Sequence, residues 1–365
     1  NIILVKNGNS ILENFKSFIA EEESEETPYK LVVLSHSDKD DPNETGPLVR
    51  KKAKALGLEV YLAELMGAYL EDTDEGKLLY TYPVDEKGEA IFPDMKTAVK
   101  YEPPIKMNSE DTLIMMRGLN AKNGCASWWT MARTFERDGF KVINSVKCNE
   151  ICNDKWYNQI VFQQENVRTP KTVLIRHSEG ALFAAEKLGN KYPLILKTST
   201  GSRGVGVMWV ESPKSLVGIV QLLYREDEYI DIILQEYIKT DYDVRVIVVA
   251  GKVLGAMKRP IVAGDFRSNV SQGSEPEIFE LSDLERRESL RASEVVDGEI
   301  VGVDFIPAKD REKESPIFIE VNSTPGLVGI EAVLSNAVSK PLVKDQNRSI
   351  TTEILKLYMN RDNWT

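Results

Sequence analysis

The stretch SPIFIEVNSTPG, Ser315–Gly326, reads as a strand that ends in two polar side chains. Its apolar run is followed by Glu320 and Asn322, with Val321 between them, and a Pro-Gly turn closes it. Alternate residues of a strand share a face, so Glu320 and Asn322 stand side by side while Val321 faces the other way. Carboxylates are rare in strand interiors unless they are paired or bound to metal. Two oxygen donors on one face, at a strand end, make half of a magnesium site. One strand earlier, IVGVDFI places Asp304 in an otherwise apolar run. An unpaired buried carboxylate is costly, so Asp304 needs a cation. A metal shared with Glu320 and Asn322 satisfies it, and so does a structural salt bridge to Arg or Lys; the sequence leaves both open.

Composition narrows the chemistry. The chain has 365 residues, enough for two or three domains, and a net charge of −11, which argues against a nucleic-acid-binding surface as its main feature. No apolar run reaches the length of a membrane span and no signal-peptide pattern opens the chain, so neither a membrane nor secretion is expected. Three cysteines, Cys125, Cys148 and Cys152, form no CxxC pair and read as free thiols of a cytoplasmic protein. With only two histidines, His36 and His177, a histidine-rich zinc site or a nucleophile–histidine pair is not expected. Reactivity here rests on carboxylates, lysines and arginines.

The pattern along the chain is α/β. LVVLSHS, then LVRKKAKALGLEVYLAEL with its stop at Gly57, reads as strand–helix–strand, hence a parallel sheet. TLIMMRG and FKVINS add strands around the helix WWTMARTFERDG, and NIILVKNG with SILENFKSFIA reads as a further strand and helix in front. A second unit opens with the helix NDKWYNQIVFQQENV. In it, YPLILKTSTGSRGVGVMWVES alternates strand, Gly-rich loop and strand, and DIILQEYIK reads as a strand running to Lys239. YDVRVIVVAGKVLGAMKR reads as a hairpin turning at Gly251-Lys252, LSDLERRESLRASEVV as a long helix, and LVGIEAVLSNAV and SITTEILKLYM as closing helices.

Three further motifs carry candidate chemistry. In TSTGSRGVG the small residues Gly201, Ser202 and Gly204 let backbone amides approach a phosphate, and Lys197 stands immediately before the loop. No GK[ST] follows, so this is not a Walker loop, and a plain hairpin turn is the alternative. QEYI, with Glu236 and Tyr237, reads either as an exposed edge turn or as a hinge whose backbone reads an adenine edge, with Asp243 close by for a ribose. GDFRSNVSQGS is either a surface loop or a source of charge stabilisation through Arg267. Arg117, at the end of LIMMRG, is a candidate anchor for a substrate carboxylate or else a surface arginine.

In this order, LILKTSTGSRGVGV, LQEYIK, DVRVIVVAGKVLGAMKR, GDFRSNVSQGS, IVGVDFI and IEVNSTPGLVGIE resemble the ATP-grasp superfamily, and within it the RimK-like α-L-glutamate ligases. The resemblance covers roughly 190–335 and extends weakly back to about 145. It implies an α+β ATP-grasp fold: an α/β pre-ATP-grasp domain (1–145), a central lid subdomain (146–240) and a C-terminal subdomain with the metal site (241–365), the last two enclosing ATP. It implies that Lys197 and Lys155 contact phosphates, with Gly201, Ser202 and Gly204 in the loop around them. Glu236 and Tyr237 would form the adenine hinge, and Asp243 would bind the nucleotide. Arg267, Ser268 and Asn269 would line the phosphate and substrate side, with Arg267 catalytic. Asp304, Glu320 and Asn322 would ligate Mg²⁺, with Mn²⁺ as an alternative. The implied reaction joins a carboxylate to an amine through an acyl-phosphate, adding glutamate or another amino acid to a peptide or protein tail, in a protein that self-associates. A ligase of small carboxylates, and a nucleotide-binding regulator without turnover, are the alternatives. Two regions depart from the family pattern: the extra strand and helix at 1–27, and DEKGEAIFPDMKTAVKYEPP.

Overall fold

The computed structural model describes residues 28–36, 44–85, 91, 103–117, 126–199, 206–261, 275–337 and 349–364. The strand and helix expected within 1–27 lie outside them. The first block runs β1 (Lys30–Ser35), α1 (Thr45–Ala55), β2 (Glu59–Glu64), β3 (Tyr69–Thr73), β4 (Gly76–Tyr80), β5 (Ile105–Met107), β6 (Thr112–Met116), α2 (Ala126–Arg137) and β7 (Lys141–Ile143). Its main sheet is parallel, in the order β2-β1-β6-β7, as the strand–helix–strand reading requires. Both faces are covered: Leu31 and Val33 pack with Val49 and Ala53 of α1, and Val32 and Leu34 pack with Trp128, Met131 and Phe135 of α2. That two-sided burial is why β1 is a continuous apolar run with no alternation. Gly57 takes φ +73° just past α1, where a side chain would strain the backbone.

The second block runs α3 (Val146–Asn153), α4 (Lys155–Gln164), β8 (Thr172–Ile175), α5 (Ala181–Lys187), β9 (Leu194–Thr198), β10 (Val207–Val210), α6 (Pro213–Glu226) and β11 (Ile232–Glu236). The strands form an antiparallel sheet, β10-β9-β11-β8, with a core of its own built with α5 and α6. β11 stops at Glu236, short of the expected Lys239. The register gives the reason. Gln235 pairs with Thr172 on one side and Glu236 with Leu194 on the other, so Tyr237 would face Pro170 and Pro193. Neither proline has an N–H to extend a ladder.

The third block is β12 (Tyr242–Val249), β13 (Lys252–Pro260), β14 (Glu277–Ile278), α7 (Asp283–Val295), β15 (Ile300–Ile306), β16 (Ile317–Asn322), α8 (Val328–Ala337) and α9 (Ile350–Leu357). The antiparallel order is β14-β13-β12-β15-β16. The hairpin turns one residue earlier than expected: Val249 pairs with Lys252, and Ala250 and Gly251 take φ of 44° and 70°. Two positive φ values in a two-residue loop match the right-handed twist of the flanking strands. One face of this sheet is apolar, with Val244, Val246, Val248, Val303, Phe305, Phe318 and Val321 packed against Ala292 of α7.

The first and third blocks share a core: Leu31, Val33 and Leu113 pack in one cluster with Ile247, Ile300, Ile330 and Tyr358. Asn144 fastens the same junction. It is 2% exposed. Its Nδ2 donates to the carbonyls of Ile300 (2.7 Å) and Ser323, and its Oδ1 accepts from the amides of Glu299 (2.9 Å) and Ile300 (2.8 Å). One side chain thus joins the end of β7, the start of β15 and the turn after β16. Replacing it by an isosteric apolar group strands buried backbone groups at the start of β15 and in the turn after β16. Asn144→Leu is expected to cost about 3 kcal/mol, read as a lowered urea midpoint.

Candidate functional site

The face of the C-terminal sheet opposite its apolar core carries charge. On β12, Asp243 and Arg245 alternate with buried Val244 and Val246. The register sets Asp243 opposite Arg259, Arg245 opposite Asp304, and Asp304 opposite Glu320. Arg245 Nε and Nη2 donate to the two oxygens of Asp304 at 2.7 and 2.6 Å. Arg259 Nε and Nη2 donate to the two oxygens of Asp243 at 2.8 and 2.7 Å, and its Nη2 also reaches Asp304 Oδ2 at 2.8 Å. The Asp304 and Arg259 side chains are 4% and 5% exposed, so this network is inside the protein. Burial alone would raise the Asp304 carboxyl, but Arg245 and Arg259 outweigh it and hold its pKa below the usual carboxylate range.

Glu320 and Asn322 lie as the strand pattern requires. Val321 is in the core, and the two polar residues pair with Asp304 and Gly302 of the neighbouring strand. A bulge is part of the arrangement: Asp304 pairs with Glu320 but Phe305 with Phe318, so Ile319 is the extra residue on β16. Asn322 Oδ1 accepts from the Thr324 amide at 2.9 Å, fixing the turn that follows. Arg117, expected as a carboxylate anchor, turns its guanidinium to the carbonyls of Thr324 (3.3 Å) and Pro325 (2.9 Å) and so braces that same turn.

Across from this face stands β9. Lys197 and Lys155 line one cavity with Glu320. Lys197 Nζ donates to Gln235 Oε1 at 2.8 Å. Burial pushes the Lys197 ammonium down to about 8; Glu320 opposes that shift and the nearby Lys155 charge adds to it. Lys155 opens α4, whose N-cap Asp154 accepts from the amides of Trp156 (2.8 Å) and Tyr157 (3.1 Å) and from the Ser199 hydroxyl. The Lys155 amide donates to the Ser199 carbonyl at 3.0 Å, so the helix start and the strand end are tied together. Glu236 Oε1 accepts from the Lys171 amide at 2.8 Å, and Tyr237 packs edge-on against Trp209 with ring centroids 4.7 Å apart.

As a donor set, two carboxylates and an amide oxygen suit a hard cation such as Mg²⁺. Three N–H groups occupy Asp304, and a carboxylate offers about four lone-pair directions, so one direction remains for a metal. The residues therefore fit the ion. Among the described residues there is no metal-type cluster of three or more His, Cys, Asp or Glu.

Residues 152–345 match the RimK-like ATP-grasp domain. The chain belongs to that family. A probable alpha-L-glutamate ligase of Marinomonas sp. is 32% identical over 216 residues, 59% of this chain and 69% of the relative. Another, from Stutzerimonas stutzeri, is 31% identical over 223 residues, 60% of this chain and 70% of the relative. The ATP-grasp fold extends beyond the matched domain. D-alanine–D-alanine ligase from Bacillus anthracis, complexed with ATP, superimposes with a TM-score of 0.59 at 17% identity over 92% of this chain and 97% of that one. The macrocyclase MdnC from Microcystis aeruginosa, bound with precursor peptide MdnA, gives 0.60 at 13% identity over 91% and 99%. At these identities the likeness is one of fold.

Of the expected site residues, Lys155, Lys197 and Glu320 line one cavity, Asp304 pairs with Glu320 on the neighbouring strand, and Asn322 follows two residues on along β16. Asp243 is on the same sheet face, with both oxygens on Arg259. Gly201, Ser202, Gly204, Arg267, Ser268 and Asn269 lie outside the described residues. Sequence reasoning passed over Arg245 and Arg259. The signal of Arg245 was present in DVRV, where charged residues alternate with valines; in MKRP the charges of Lys258 and Arg259 are adjacent, and no alternation marks Arg259. No helix among the described residues is long and apolar enough to cross a membrane.

Removing one arginine leaves two buried carboxylates short of a partner. Arg259→Met is expected to cost about 4 kcal/mol, whereas Arg133→Met, which breaks an exposed pair with Glu150, costs under about 1 kcal/mol. Because the folded pKa of Asp304 is depressed, the pair's contribution is complete above the unfolded value and is lost as pH falls through the folded one. The gap between wild type and Arg259→Met therefore narrows below about pH 4, which thermal melts across pH will read.

Proposed function

We propose that the protein is an ATP-dependent, ADP-forming carboxylate–amine ligase that binds Mg·ATP in the cleft between the central and C-terminal sheets. The observation that carries this reading is the juxtaposition of two lysines, Lys155 and Lys197, with Glu320 around one small cavity where the two sheets meet. The cations suit a triphosphate, and the oxygen donors beside them suit the ion that accompanies it. The chain divides at about 145 and 240 into the three parts that the family resemblance implies.

Asp304, Glu320 and Asn322 would hold Mg²⁺, which when bound neutralises charge on the phosphates. Lys155 and Lys197 hold the phosphates. A substrate carboxylate oxygen attacks the γ-phosphorus, the bond to the β-phosphate oxygen breaks, and ADP leaves with that bond's electrons. The amine then attacks the acyl-phosphate carbonyl, phosphate leaves, and the amine loses a proton as the amide forms. Arg245 and Arg259 hold Asp304 ionised and fixed beside Glu320. Positioning and electrostatics supply the acceleration, and no covalent enzyme nucleophile is used.

The substrate reading is addition of glutamate, or another amino acid, to a peptide or protein C-terminus. The names of the curated relatives support the glutamate, and the peptide-bound macrocyclase shows that this fold accommodates a peptide substrate. ADP release measured with a panel of amino acids and acidic peptides tests the reading. ADP release requiring both an amine and a carboxylate is expected; tight Mg·ATP binding with no turnover on any pair would refute it. Glu320→Gln is a cleaner probe than Asp304→Asn, because it leaves both arginine pairs intact. Its kcat is expected to fall about 100-fold with an unchanged far-ultraviolet circular dichroism spectrum.

A further inference from the structure

α4 sets Lys155, Asn158 and Gln159 on one face, at the spacing of one helical turn. Asn158 is 1% exposed, yet neither its Oδ1 nor its Nδ2 has a hydrogen-bond partner. It lines the cavity that also holds Lys155, Gln159, Lys197, Gln235 and Glu320. A buried amide with both ends unpaired destabilises a fold, and leucine has nearly its shape. The cavity itself is ≈ 10 Å³, room for about one water molecule, and six of its nine lining residues have polar side chains.

Its neighbours are already fixed. Gln235 Nε2 donates to the Thr172 hydroxyl at 2.8 Å, and that hydroxyl lies 3.3 Å from Gln159 Oε1. The Gln235 oxygen is thereby turned to Lys197, which donates to it at 2.8 Å. One of three ammonium N–H directions is set by this contact, and one fixed direction leaves the ammonium free to swing about it.

We propose that the cavity holds one ordered water and that Asn158, acting through it, is a positioning residue for the Lys197 ammonium. The water accepts from Asn158 Nδ2 and Lys197 Nζ and donates to the Glu320 carboxylate. With two of its directions held, the third Lys197 N–H points into the cleft at the phosphates. This rests on the reading of the cleft as a Mg·ATP site.

The test uses the full chain with Asn158→Leu and Asn158→Ser. Kd for a non-hydrolysable ATP analogue with Mg²⁺, KM and kcat for ADP release, and Tm are compared with wild type. Asn158→Leu is expected to weaken Kd and raise KM for ATP about tenfold, with kcat changed less than about threefold. Its Tm stays near that of wild type, because the water-mediated bond is exchanged for apolar packing of nearly the same shape. Asn158→Ser, which keeps a hydroxyl and space for the water, restores Kd to within about threefold of wild type. A crystal structure shows the water in wild type and in Asn158→Ser. Wild-type Kd and KM in Asn158→Leu, or a dry cavity, would overturn the positioning role while leaving the nucleotide site standing. Equal losses of Tm and binding in both variants would make Asn158 merely structural. A wild-type protein that binds no Mg·ATP would instead sink the reading of the site, and the inference with it.

Discussion

The buried arrangement of Asp243, Arg245, Arg259 and Asp304 constrains the rest of the C-terminal sheet. Strand β12 turns Val244, Val246 and Val248 to one core, and on its other face Asp243 and Arg245 join the charge network while Ile247 and Val249 enter the core shared with the first block. A slip of β12 by one residue would exchange its faces, driving Asp243 and Arg245 into the valine layer. The energetic penalty for that is far larger than any strand pairing gains. Register is therefore over-determined. It is set by the Ala250–Gly251 turn at one end and by cross-strand ion pairs at the other. Once it is fixed, Glu320 and Asn322 have no freedom in which way they face, because Asp304 opposite Glu320 and Val321 in the core settle it.

That logic explains what the sequence disclosed. Period-two alternation is local, so Glu320, Val321 and Asn322 could be assigned to faces from three adjacent letters. The two-sided burial of β1 was legible in the same way, as a run without alternation. The family resemblance then ordered these local pieces into one fold. What escaped were facts that depend on distant neighbours. The arginine partners of Asp304 lie 59 and 45 residues before it in the chain, and nothing in IVGVDFI distinguishes an arginine-held aspartate from a metal-held one. β11 reads as continuing past Glu236, and only the sheet order reveals that prolines flank it on both sides. Asn144 looks like the polar end of a short strand, yet its amide serves backbone groups some 155 to 179 residues away.

The cores add a second kind of constraint. The first and third blocks are welded by shared apolar packing and by Asn144, whereas the central sheet packs its hydrophobic side chains among themselves with α5 and α6. What the central sheet turns towards the C-terminal sheet is mixed: Lys197 and Gln235 stand there with Ile233. The polar part of that seam is held by interactions that a charged ligand can replace. Glu320 is the acidic group of the cavity that Lys155 and Lys197 line. On the proposed reading, a polyanion there would screen the repulsion between the lysines, and nucleotide and metal would each strengthen the other's binding by the same factor. Lys197 belongs to the separately packed sheet, whereas Lys155 opens α4, whose Phe162 packs in the core of the C-terminal sheet that carries Glu320.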